Sequence, residues 1–142
     1  ENKHLLKFIS DYNLKNDNDL ILNIIKSLHS EIKYKDISKN YSIDDILTKK
    51  EGDCSEFSKL SVEILKAFNI KSNIVYGLYF KNGFFEYHAF VQFEINNEIF
   101  YFDPTLKKIN ISPYYLIIAK ENKYNQVIMP LDIDFIEISE LQ

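Results

Sequence analysis

Apolar positions along the chain follow two rhythms, and the change falls near its middle. In the first half the spacing is helical. Leu20, Ile21, Ile24, Ile25 and Leu28 form a stripe at three- and four-residue intervals, with Asp17, Asn18 and Asp19 ahead of it as candidate N-caps. Ser42 followed by Asp45 has capping-motif spacing and opens a short helix through Leu47. Asp53 and Glu56 repeat that spacing, which makes Cys54 a first helical residue; Phe57, Leu60, Ile64, Leu65 and Phe68 then mark a buried face. Asn69 closes this helix, because asparagine tolerates the left-handed conformation in which helices end.

From residue 72 the chain turns β-branched and aromatic. Ser72 to Phe80, Phe84 to Ile95 and Glu98 to Asp103 read as three strands, separated by Asn82-Gly83 and Asn96-Asn97, both two-residue hairpin turns. Consecutive strands joined this tightly form an antiparallel meander. Beyond Pro104 the pattern is open: Tyr114 to Ile118 fits a helix after Pro113 or a strand, and Ile133 and Phe135 suggest one more strand.

Composition narrows the class. The 142 residues are 46% hydrophobic and 27% charged, enough for one globular domain with its own core over 1–142. Residue 1 is Glu rather than Met, so we expect a mature form or an excised part of a longer chain, and no targeting segment is there to assign a compartment. No apolar run nears the roughly 18 residues of a spanning helix. Net charge is −4 and all 17 basic residues are Lys, which counts against a nucleic-acid partner. Abundant Ile, Lys and Asn reflect codon bias, so scattered Lys and Asn carry little weight. The one cysteine excludes an internal disulfide and any multi-cysteine zinc site. Chemistry must centre on Cys54.

The two turns fix a register. A two-residue loop at Asn96-Asn97 sets Phe90 opposite Asp103, so His88, two residues along the same face, is the diagonal neighbour of Asp103 at roughly 6 to 8 Å between Cβ atoms. The Asn82-Gly83 hairpin puts Gly77 opposite His88, leaving room beside the imidazole. A one-residue slip would destroy the match. Cys54 stands at a helix N-terminus, where the unsatisfied amides favour a thiolate. These three residues suit nucleophilic acyl transfer: the sulfur attacks a carbonyl, His88 moves the proton, and Asp103 orients His88. Asp53 and Glu56 read as caps, and His4 and His29 as surface residues. Taken singly, Cys54 and His88 would pass for core side chains, and Asp103 for a strand-ending turn.

Gly52-Asp53-Cys54-Ser55-Glu56-Phe57, Leu65-Lys66-Ala67-Phe68-Asn69-Ile70, Val75-Tyr76-Gly77, His88-Ala89-Phe90 and Phe102-Asp103-Pro104-Thr105 together resemble the transglutaminase-like superfamily, whose core is related to papain-type cysteine proteases. Its pattern is a G-x-C opening a helix, a helix end like R-A-L-G-I, then H-A-W and D-P-T. Ile32-Lys33-Tyr34 also looks like the family's approach to the cysteine helix. Here Asn69 replaces the glycine, Phe68 a leucine and Phe90 the tryptophan. The chain has no Trp to act as an indole oxyanion donor. The Cys54 amide is one candidate donor, and no side chain is identified as a second.

The resemblance implies an α+β fold, with a helical N-terminal half packed on an antiparallel sheet in the papain-like arrangement. It implies a cysteine acyl-transfer enzyme acting on an amide, either a glutamine side chain or a peptide bond of a protein or peptide substrate. Cys54, His88 and Asp103 are the expected catalytic residues, with Tyr87, Phe90 and Tyr101 as substrate-facing aromatics. No metal or other cofactor is expected, nor a nucleic-acid partner or membrane span, and a monomer is compatible. Two alternatives stand beside it. One is a peptidase or deamidase using the same residues. The other is a silent binding module that keeps only the fold.

Overall fold

A computed structural model describes residues 2–37, 39–81, 83–109, 115–121 and 127–128. Four helices come first: α1 Lys3–Asp11, α2 Leu20–Glu31, α3 Ile43–Lys49 and α4 Cys54–Ala67. Two short strands, β1 Lys33–Tyr34 and β2 Glu51–Gly52, run parallel to each other among them. The second half is a six-stranded sheet of β3 Lys71–Lys81, β4 Phe84–Ile95, β5 Glu98–Asp103, β6 Lys108–Ile109, β7 Tyr115–Glu121 and β8 Val127–Ile128. Its pairs are all antiparallel, in the order β6-β5-β4-β3-β7-β8.

Local chemistry accounts for the boundaries. Ser42 accepts from the Asp45 amide and Asp45 accepts from the Ser42 amide, a complete capping box for α3. Asp53 and Glu56 make the same box for α4. That helix ends with Asn69 at φ 61°, the left-handed residue its sequence predicts. Asn96 and Asn97 lie at φ 53° and 67°, the double positive-φ turn that holds a two-residue hairpin. Gly83 is at φ 83°, while its partner in the first turn lies outside the described residues.

The main core lies between α4 and the sheet. Phe57, Leu60, Ile64 and Leu65 of α4 are at most 1% exposed and belong to one cluster with Ala89, Val91 and Phe93 of β4 and Phe102 of β5. Each such side chain contributes about 1.5–3 kcal/mol on leaving water. This packing holds the start of α4 over the sheet.

Some elements go beyond the sequence expectation. Helix α1 was not expected; its Asn2 cap accepts from the Leu5 amide, and only Leu5 and Phe8 are buried. Of the two options left open after Pro113, residues Tyr115–Glu121 take the strand, β7, which lies beside β3 rather than extending the meander. Ile133 and Phe135 lie outside the described residues. Among those residues no helix is long and apolar enough to cross a membrane.

Candidate active site

Cys54 is placed by the cap that precedes it. The Asp53 carboxylate accepts from the Ser55 amide at 2.9 Å, its carbonyl accepts from the Phe57 amide at 3.0 Å, and Glu56 Oε1 accepts from the Asp53 amide at 3.1 Å. These bonds start the helix at Cys54, whose thiol is free and half-buried. The Cys54 amide carries no hydrogen bond among the described residues, as expected for the first turn of a helix. Glu56 is 2% exposed; burial, with the Asp53 carboxylate beside it, pushes its carboxyl up from 4.5 to about 7.

The predicted register is observed. Gly77 pairs with His88, and the β4–β5 ladder ends at Val91 and Phe102, one step before Phe90 and Asp103. His88 Nε2 lies 2.7 Å from Asp103 Oδ2. Asp103 is fully buried, and its other oxygen accepts from the amides of Thr105 and Leu106, each at 3.0 Å. One carboxylate therefore both ends the strand in a turn and holds the imidazole. Gly77 is itself buried between β4 and β7.

Burial acts to lower the His88 pKa, but the Asp103 hydrogen bond and then the Cys54 side chain outweigh it, pushing the value up from 6.5 to about 9. Cys54 thus comes within interaction range of His88. With Nε2 engaged by Asp103, Nδ1 is the nitrogen left for the sulfur.

The other expected residues differ in their placement. Tyr87 is 61% exposed, its ring stacked 6.3 Å from that of Tyr76. Tyr101 is half-buried, and its hydroxyl accepts from the Gln92 amide at 2.9 Å. Phe90 is 1% exposed and packs with Val75 and Tyr101, so it supports the sheet and presents no surface to a substrate. His29 is not a surface residue: its Nε2 donates to the Pro104 carbonyl at 2.7 Å and its ring meets Phe57 edge-on at 5.1 Å. It ties α2 to the turn after Asp103. His4 is an exposed partner of Asp44.

Tyr34 is a neighbour of Cys54 that the sequence did not assign. It pairs with Gly52, and its ring centre is 6.2 Å from that of Phe57. Burial, followed by the charges of Cys54 and Asp53, raises its phenol above the ordinary value of 10. A groove of about 490 Å³ flanks the site along Asp53, Ser55, Glu56, Lys59, Ile74 and Tyr76. Cys54 itself is not in its lining.

A cysteine at a capped helix start, over an antiparallel sheet with a buried His–Asp pair, defines the papain-like class of α+β domain. Within that class the chain belongs to the transglutaminase-like domain family, whose model matches residues 3–129. No curated protein sequence matches it. A proposed cysteine protease from Cytophaga hutchinsonii is similar in structure (TM-score 0.68, 22% identity), with the match covering 83% of this chain and 41% of that one. Calcium-bound LapG of Legionella pneumophila gives a TM-score of 0.64 at 15% identity, over 88% and 75% of the two chains. An arylamine N-acetyltransferase of Bacillus cereus, with a Cys-His-Glu triad, gives 0.58 at 12%, over 87% and 57%. At these identities the likeness establishes the fold. The chain spans less than half the length of the Cytophaga protein.

Proposed function

We propose that this domain is a cysteine-dependent acyl-transfer enzyme acting on an amide, a glutamine side chain or a peptide bond. The observation that carries this reading is the 2.7 Å contact of His88 with the fully buried Asp103, made within interaction range of a helix-start thiol.

The groups account for each step. With its pKa near 9, His88 carries the proton at neutral pH, and Cys54 attacks as the thiolate. A sulfur–carbon bond forms and the carbonyl π pair moves to oxygen, with the Cys54 amide available to that oxygen. Collapse breaks the carbon–nitrogen bond, and the leaving amine takes the His88 proton. Asp103 holds the ring while it gains and loses charge. The resulting thioester is then opened by water or a second amine, with His88 as base. Hydrolysis is the favoured second half, because Tyr34 beside the thiol is 55% exposed and leaves it open to water.

A mass-spectrometric screen of glutamine-containing peptides, with and without a primary amine, tests the reading. We expect deamidated, cleaved or amine-bearing product from the parent and none from Cys54→Ala. Equal product from both would contradict it, and no product from a broad library would favour a silent binding module.

A further inference from the structure

In the acyl-transfer reading above, the Cys54 amide is one donor to the developing oxyanion, and such sites commonly combine it with others. A side chain near the sulfur with an O–H or N–H to spare can supply the second. Tyr34 meets those conditions. Its main chain is pinned beside the helix start: the Lys35 amide donates to Gly52 and the Lys33 amide to Lys50, each at 2.9 Å. Its partner Gly52 lies two residues before Cys54, and Phe57, against which its ring leans at 6.2 Å and 57°, lies three residues after. The phenol is thereby held against the first turn of α4 from both sides of the cysteine. Its hydroxyl has no hydrogen-bond partner among the described residues, and the residue is 55% exposed, so an incoming carbonyl can reach it.

We propose that Tyr34 is a catalytic residue whose hydroxyl donates the second hydrogen bond, alongside the Cys54 amide, to the oxyanion formed when the Cys54 sulfur adds to a substrate carbonyl. This rests on the acyl-transfer reading above. No proton changes hands at Tyr34. The sulfur–carbon bond forms, the π pair moves to oxygen, the phenol O–H bonds to that oxygen, and the bond is released when the carbon–nitrogen bond breaks. Local electrostatics suit the role. Burial and the negative charges of Cys54, Asp53, Asp36 and Glu86 hold the phenol proton in place, so Tyr34 stays a donor through the neutral range.

The test compares two reactions of the same thiol in the whole chain. Acetylation of Cys54 by p-nitrophenyl acetate passes through an oxyanion, whereas alkylation by iodoacetamide is a displacement that forms none. Tyr34→Phe keeps the ring on Phe57 and removes only the donor. We expect its acetylation rate to fall about 10²-fold with alkylation unchanged, the loss typical of one oxyanion donor. Unchanged acetylation would overturn the proposal, and so would an equal fall in both rates, which would place the effect on the thiol. If the parent is acetylated no faster than Cys54→Ala, the acyl-transfer reading itself fails and takes this one with it. If the parent reacts at Cys54 and Tyr34→Phe matches it, only the role of Tyr34 is lost.

Discussion

Glu56 occupies the space a side chain at Gly52 would need: a Cβ built there would lie 2.4 Å from the Glu56 Cβ. The glycine of the G-x-C motif is thus a matter of close approach. It lets the capping carboxylate fold back over β2 and reach the Asp53 amide. Gly52→Ala must push Glu56 away, breaking one arm of the box that starts α4. We expect a loss of about 1–3 kcal/mol, read as a lower urea midpoint with unchanged slope. An unaltered midpoint would mean that Glu56 gives way freely.

The double duty of Asp103 separates its turn from its charge. Asn at this position keeps an oxygen for the Thr105 and Leu106 amides, so the turn survives. The amide NH₂ then faces His88 and favours the tautomer with its proton toward Cys54. Asp103→Asn should fold with near-native circular dichroism yet lose acyl transfer by on the order of 10²- to 10⁴-fold. A variant as active as the parent would show that the His88–Asp103 pair is structural.

Stability should fall as pH rises from about 5 to 9. Glu56 and His88 both hold their protons more tightly in the folded chain. Each adds stability below its unfolded value and loses it as pH climbs through the folded one. For Glu56 the window runs from 4.5 to about 7, and for His88 from 6.5 to about 9. Urea midpoints across pH, repeated with Glu56→Gln and His88→Asn, check this. Glu56→Gln should flatten the lower limb and His88→Asn the upper.

Much of the site was legible because its determinants are local. Asp53 and Glu56 place Cys54 within four residues of sequence, and two short turns set the His88–Asp103 register by counting. What was missed depends on contacts distant in sequence. The bond from His29 to Pro104 spans 75 residues. The β1–β2 bridge that delivers Tyr34 is two residues long, too short to leave a pattern. Phe90 was placed on the correct strand, but alternation along that strand says nothing about the Val75 and Tyr101 side chains that bury it. Helix α1, with two buried residues, leaves a weak stripe.

The acceptor of the acyl group follows from access. Water at about 55 M competes with any amine unless the site excludes it or binds the amine. With Tyr34 exposed beside the thiol, hydrolysis should dominate at about 1 mM amine. Quantifying both products by mass decides this. Predominant amine incorporation would mean that the site excludes water from the thioester or binds the amine.

The central claim is that Cys54 forms an acyl-enzyme with help from His88 and Asp103. Rapid-quench intact mass after p-nitrophenyl acetate, followed by peptide mapping, measures it most directly. The account predicts a single early acetyl group on Cys54, absent in Cys54→Ala and slowed by on the order of 10²-fold or more in His88→Ala. Acetylation confined to lysines, at the same rate in all three proteins, would contradict it.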